Sequence, residues 1–71
     1  MPYVDSSAIR RIEYDEGTSE MFVTFTTGKV YVYAAVPQHV YEDFVEARSH
    51  GAFFNAHIKD EYDFVEAPRK R

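Results

Sequence analysis

The sequence predicts an α+β domain: a three-stranded antiparallel sheet, arranged as a meander, followed by two helices packed on one of its faces. Three observations carry this. Side chains of β-forming type fill residues 21–25 and 30–34, with a glycine-containing tight turn between them. From residue 37 onward the apolar positions recur at helical spacing instead. Pro37 stands at the changeover, where it ends an extended run and suits the start of a helix.

The chain has 71 residues and no cysteine. A chain of this size buries only roughly 60% of its unfolded surface, and neither a disulfide nor a thiolate zinc site can add to that. Stability therefore rests on packing, for which six Phe and six Tyr supply large apolar areas with few torsions to order. No run of eighteen apolar residues is present. Residues 1–11 lack a basic region followed by an apolar stretch. A cytoplasmic, soluble chain without a membrane span or secretory signal is expected.

Taken in order, residues 8–14 read as a first strand. Ile9 and Ile12 have odd spacing and share a face only if a bulge lies between them. Residues 15–20 form a polar, Gly-containing hairpin connection. That loop is rich in carboxylates but lacks the ligand spacing of an EF-hand. Residues 21–25 and 30–34 are the second and third strands. A three-residue loop, Thr26-Thr27-Gly28 with Gly28 left-handed in a G1 bulge, would put Val23 opposite Tyr31 and Met21 opposite Tyr33. The tyrosines would then join the core, leaving Phe22, Thr24, Val30 and Val32 on the other face. A two-residue loop at Thr27-Gly28 would instead create an exposed aromatic platform of the kind that stacks single-stranded bases. The bulged register is preferred, because it gives Gly28 its reason.

From Pro37 to Ser49 the positions Val40, Tyr41, Phe44, Val45 and Ala47 form an apolar stripe, with Glu42, Asp43 and Glu46 opposite. Arg48 falls in the expected last turn, and Gly51 in His50-Gly51 is expected to cap this helix. Residues 52–58 give a second short helix, with Phe54 and Ile58 four apart. Phe64-Val65 fits a last extended piece.

Net charge is −4, but Arg69, Lys70 and Arg71 all follow Pro68, outside the pattern of the domain. Residues 1–68 hold five Lys/Arg against twelve Asp/Glu, a balance of −7. Phosphate contacts dominate nucleic-acid affinity, so an acidic body is a poor non-specific binder. Chemistry is equally sparse. His39, His50 and His57 fall in no zinc spacing, and there is no nucleophile elbow or phosphate-cradling glycine loop. His50 and His57 could approach each other across Gly51, a geometry equally suited to capping helix ends. Asn55, polar between Phe54 and Ile58, is expected to bond the backbone at the turn. Its sharper reading is a ligand-facing amide beside Ser49, His50 and His57. No catalytic residue, metal site or cofactor is expected.

The run Ser6-Ser7-x-Ile9, Tyr14-Asp15, Val23-x-Phe25-x-x-Gly28, Tyr31-x-Tyr33, Val36-Pro37, Val40-Tyr41, Ala47-x-Ser49-x-Gly51 and Phe54-Asn55-x-x-Ile58 resembles the KTSC domain. That family takes its name from the C-terminal extension of some lysyl-tRNA synthetases and also occurs as small stand-alone bacterial proteins. The resemblance covers residues 6 to 65, and Tyr-x-Tyr is its hallmark. It implies one KTSC-like domain over residues 1–67, leaving residues 68–71 as a basic disordered tail. It also implies RNA binding, tRNA-associated through the synthetase context. The residues expected to contact RNA are Arg10, Arg11, Lys29, Tyr31, Tyr33, Arg48, His50, Asn55 and Lys59. Val32 and His50 stand where family members often carry a polar residue and a Lys, which makes the surface less cationic. Polar residues alternating with the tyrosines would turn those tyrosines to the core, in line with the bulged register. The alternative is a protein-interaction module without nucleic-acid binding, using the Phe22, Val30 and Val32 face or a strand edge for a partner or a weak homodimer. Neither reading involves a membrane or a small-molecule cofactor.

Overall fold

The computed structural model describes residues 8–67. The basic segment 68–71 lies outside them. Strands β1 (Ile9–Asp15), β2 (Glu20–Phe25), β3 (Val30–Tyr33) and β4 (Phe64–Glu66) form one antiparallel sheet in the order β1-β2-β3-β4. The first three make the expected meander. The sheet has a fourth strand because Phe64–Glu66 returns after the helices and pairs with β3, Val32 opposite Val65 and Tyr33 opposite Phe64. Three residues alone would not hold as a strand. The ladder is extended at both ends by hydrogen bonds from the Ala34 amide to the Asp63 carbonyl and from Ala67 to Val30.

The bulged register is the one adopted. Gly28 has φ 97°, its amide donates to the Phe25 carbonyl at 2.9 Å, and the Phe25 amide donates to Lys29 at 2.8 Å. Val23 consequently faces Tyr31, and Met21 faces Tyr33. The pairing of β1 with β2 shifts between Ile9 and Arg11, so a bulge returns Ile9 and Ile12 to the core side together.

Helix α1 (Gln38–Glu46) buries Phe44 fully and Val40 and Tyr41 partly against the sheet. It is shorter than its stripe. Ala47 turns extended, so Arg48 lies past the last turn, and Val45 is exposed. Pro37 is likewise extended and precedes the helix instead of opening it. His50-Gly51 does not close α1; it begins α2 (His50–Phe53). The reason is Ser49, whose hydroxyl accepts a hydrogen bond from the Ala52 amide at 3.2 Å and so caps a new helix start. Residues Phe54–Ile58 continue α2 as a π-helical turn, closed by the Lys59 amide on the Phe54 carbonyl at 2.8 Å.

The core is Ile9, Met21, Val23, Tyr33, Val36, Phe44 and Ile58, between the helices and one sheet face. Phe44 stacks on Phe53 at 5.4 Å. The segment joining β3 to α1 is pinned twice, by the Val36 amide on the Ser19 carbonyl and by the Tyr14 hydroxyl on the Val36 carbonyl. That segment carries Ala35 at φ 56°, a left-handed conformation unfavourable for alanine. Among the described residues no helix is long and apolar enough to cross a membrane.

Candidate functional site

Because side chains alternate along a strand, Phe25, Tyr31, Tyr33 and Phe64 all point to the helix side of the sheet. The π turn brings Phe54 to the same place. Its ring meets Phe25 at 5.5 Å and Tyr33 at 5.8 Å, both edge-on. Phe25 lies 5.5 Å from Tyr31, Tyr31 stacks on Phe64 at 5.4 Å, and Phe64 lies 5.3 Å from Tyr33. These contacts close on themselves, making a ring of five aromatic side chains. All five line a cavity of about 460 Å³. That volume falls within the range of pockets that hold small ligands, about 300–1,000 Å³.

The polar groups are few. Tyr33 is only 1% exposed, and its hydroxyl makes no hydrogen bond to a described residue. Burial, and then the neighbouring Tyr31, push its phenol up to about 12. The exposed side chains of Lys29, Lys59 and Asp60 line the opening, with Thr26 and Thr27 beside Lys29. The site is thus an apolar aromatic pocket with a hydroxyl on its most buried wall and two ammonium groups outside.

Four of the residues expected to meet RNA come together here: Lys29, Tyr31, Tyr33 and Lys59. The other five do not line the cavity. Arg10 is exposed at the β1 bulge. Arg11 lies on the opposite sheet face, opposite Thr24 and 3.7 Å from Glu13, a solvent-exposed pair worth little. Arg48 sits exposed between α1 and α2. The Nε2 atom of His50 lies 3.1 Å from the Val45 carbonyl, whereas His57 packs on Phe53 at 4.6 Å, so the two histidines have separate partners. Asn55 is exposed on the π turn and makes no hydrogen bond to a described residue, contrary to the expected backbone bond. Phe25, Phe54, Phe64 and Asp60 are site residues that the pattern reading passed over. The extended piece at Phe64-Val65 was the available signal for one of them.

A shallower depression on the other side is lined by Glu13, Tyr14, Asp15, Glu16 and Tyr41, with Tyr14 stacked on Tyr41 at 5.0 Å. Its carboxylates do not converge. Among the described residues no group of three or more His, Asp or Glu is placed to hold a metal ion.

The model of the KTSC domain family matches residues 5–62, most of the chain. The chain belongs to the KTSC domain family. A protein of Tsukamurella paurometabola is 37% identical over 65 residues, covering 92% of this chain and 97% of that relative. A lysine–tRNA ligase of Nostoc punctiforme is also 37% identical, over 60 residues, but the match spans 84% of this KTSC domain and only 11% of the ligase. The crystal structure of a KTSC domain protein from Yersinia pestis superposes with a TM-score of 0.83 at 29% identity, covering 96% of this chain and 94% of the other. The four-stranded sheet with its helices is therefore an arrangement shared across the family.

Proposed function

We propose that this KTSC domain is a binding module, not an enzyme, that holds single-stranded RNA in a cytoplasmic setting by taking one unpaired base into the aromatic cavity. The observation that carries the reading is the closed ring of five aromatic side chains with Lys29 and Lys59 at its opening. Every base has a π-face, and stacking on aromatic side chains is worth about 1–3 kcal/mol per base. The two lysines stand where phosphates flanking an inserted base would pass. The family's occurrence in a lysine–tRNA ligase supports a setting in which RNA is at hand.

The acidic body sets the expected character of this binding. Two phosphate contacts on a single strand give a slope of log affinity against log salt of about −1.4, shallow beside that of a basic nucleic-acid binder. The test is an amide chemical-shift titration of the labelled domain with short single-stranded RNA at low and high salt. Shifts gathered on Lys29, Tyr31, Phe64 and Lys59, and absent from Arg11, are expected. No shifts at millimolar RNA would remove the reading.

One observation favours a second reading, a protein-interaction module. Phe22, Val30, Val32 and Val65 lie on the sheet face opposite the helices, and Val65 is 66% exposed. A partner or second copy docking there would associate in a salt-tolerant way, and Val32→Lys would abolish it; association that survives this substitution rules that face out.

A further inference from the structure

We infer that the aromatic cavity is a site for a single nucleotide, and that it binds a free nucleoside monophosphate as a complete ligand. The inference rests on the RNA reading only in taking a nucleobase as the ring that enters.

Three features point past a strand-binding groove. The aromatic contacts form a closed circuit, Phe25 to Tyr31 to Phe64 to Tyr33 to Phe54 and back to Phe25. A platform for successive bases has its rings side by side and open at both ends; a closed circuit admits one ring system and stops. Next, Tyr33 is more than nine-tenths buried and lines the cavity, yet its hydroxyl has no hydrogen-bond partner among the described residues. No fully buried side-chain oxygen among them is left unsatisfied. The Tyr33 hydroxyl therefore retains contact with solvent, and the cavity is where that contact lies. A phenol both donates and accepts, so it fits the polar edge of an entering base. Finally, the charges are all at the opening. Lys29 and Lys59 are point charges suited to a phosphate, and Asp60 is an acceptor suited to a ribose hydroxyl and not to a phosphate. Apolar ring inside, hydroxyl and phosphate outside is the layout of one nucleotide.

The experiment titrates AMP, UMP and phenyl phosphate separately into the labelled full chain and into Tyr33→Phe, alongside a short single-stranded RNA. Phenyl phosphate offers ring and phosphate but no polar ring edge. AMP and UMP are expected to shift the amides of Lys29, Tyr31 and Phe64 to saturation. Y33F keeps the ring and the fold, as an unchanged amide spectrum would show, and weakens both nucleotides about five- to tenfold, the loss of one hydrogen bond. Its affinity for phenyl phosphate is unchanged. If RNA shifts these amides and neither mononucleotide does, the inference is overturned while the RNA reading stands. If mononucleotides bind and RNA does not, the RNA reading falls and the single-nucleotide site stands. Silence from all of them ends both. Nucleotide affinities equal in wild type and Y33F overturn the role given to the Tyr33 hydroxyl.

Discussion

Phe64 is the residue on which fold and site most visibly depend together, and Phe64→Ala separates the consequences. The ring is 50% exposed and touches Tyr31 and Tyr33 at 5.4 and 5.3 Å. A fully buried aromatic side chain removes about 150–250 Å² from water, so half-burial removes about 100 Å². At about 25 cal/mol per Å² that is worth about 2.5 kcal/mol, of which alanine keeps a little. The two ring pairs add about 0.5 kcal/mol each or somewhat more. No cavity penalty arises, because water fills an opening at an edge. The expected loss is about 2–3 kcal/mol. A 71-residue chain has about 4–10 kcal/mol in all, so the variant stays folded at 25 °C but melts about 10–20 °C lower. Urea denaturation measures the loss, with Val65→Ala as the control. Val65 sits one residue away on the same strand, 66% exposed on the opposite face, and its truncation should cost under about 0.5 kcal/mol. If F64A costs no more than V65A, β4 is not docked on β3 as described. The same variant is expected to lose RNA binding; wild-type affinity in F64A would remove the cavity from the proposed site.

Two further outcomes follow from individual residues. The folded state holds the Tyr33 proton up to about pH 12, whereas the unfolded chain releases it near 10. Stability from this group is therefore complete below pH 10 and declines between pH 10 and 12, by about 2 kcal/mol once water reaching the cavity is allowed for. Urea midpoints measured against pH should show this decline in the wild type and lose that part of it in Tyr33→Phe; an identical alkaline slope in both would refute the assignment. Ala35, at φ 56°, carries a left-handed cost of about 1–2 kcal/mol that Ala35→Gly removes, against about 0.5–1 kcal/mol of added chain entropy. A rise in stability of about 0.5–1 kcal/mol is expected, read as a higher urea midpoint, and a fall would contradict that backbone conformation.

What could be read from the residues depended on how local the cause was. Gly28 fixed the β2–β3 register because a single left-handed residue determines which side chains face each other, and φ 97° at that position is the conformation the bulge requires. The odd spacing of Ile9 and Ile12 likewise called for a bulge, which lies between Ile9 and Arg11. The helix boundary misled because Gly51 after an apolar stripe resembles a cap, whereas the Ser49 hydroxyl two residues earlier makes the same stretch a beginning. The π turn has no periodic signature over five residues. β4 exists through its pairing with β3, a partner 33 residues earlier at Val32 and Val65. The cavity is harder still to foresee, since its five rings come from β2, β3, β4 and the π turn. Lys29, Tyr31, Tyr33 and Lys59 were legible one at a time, as charge or aromaticity; their convergence was not.

The π turn also makes the site a matter of residue count. Between Phe54, fixed against Phe25 and Tyr33, and Lys59 at the opening, the backbone closes with a five-residue spacing in place of four. Deleting one residue here, Ala56 for example, would let the segment relax to an ordinary α-turn, each position of which rotates by about 100°. Lys59 and Asp60 would swing away from the opening while the β-meander and the Phe44 packing went undisturbed. Across relatives, then, a one-residue gap in this short span would separate domains that keep the pocket's charged rim from those that keep only its aromatic walls, a distinction that percentage identity would not register.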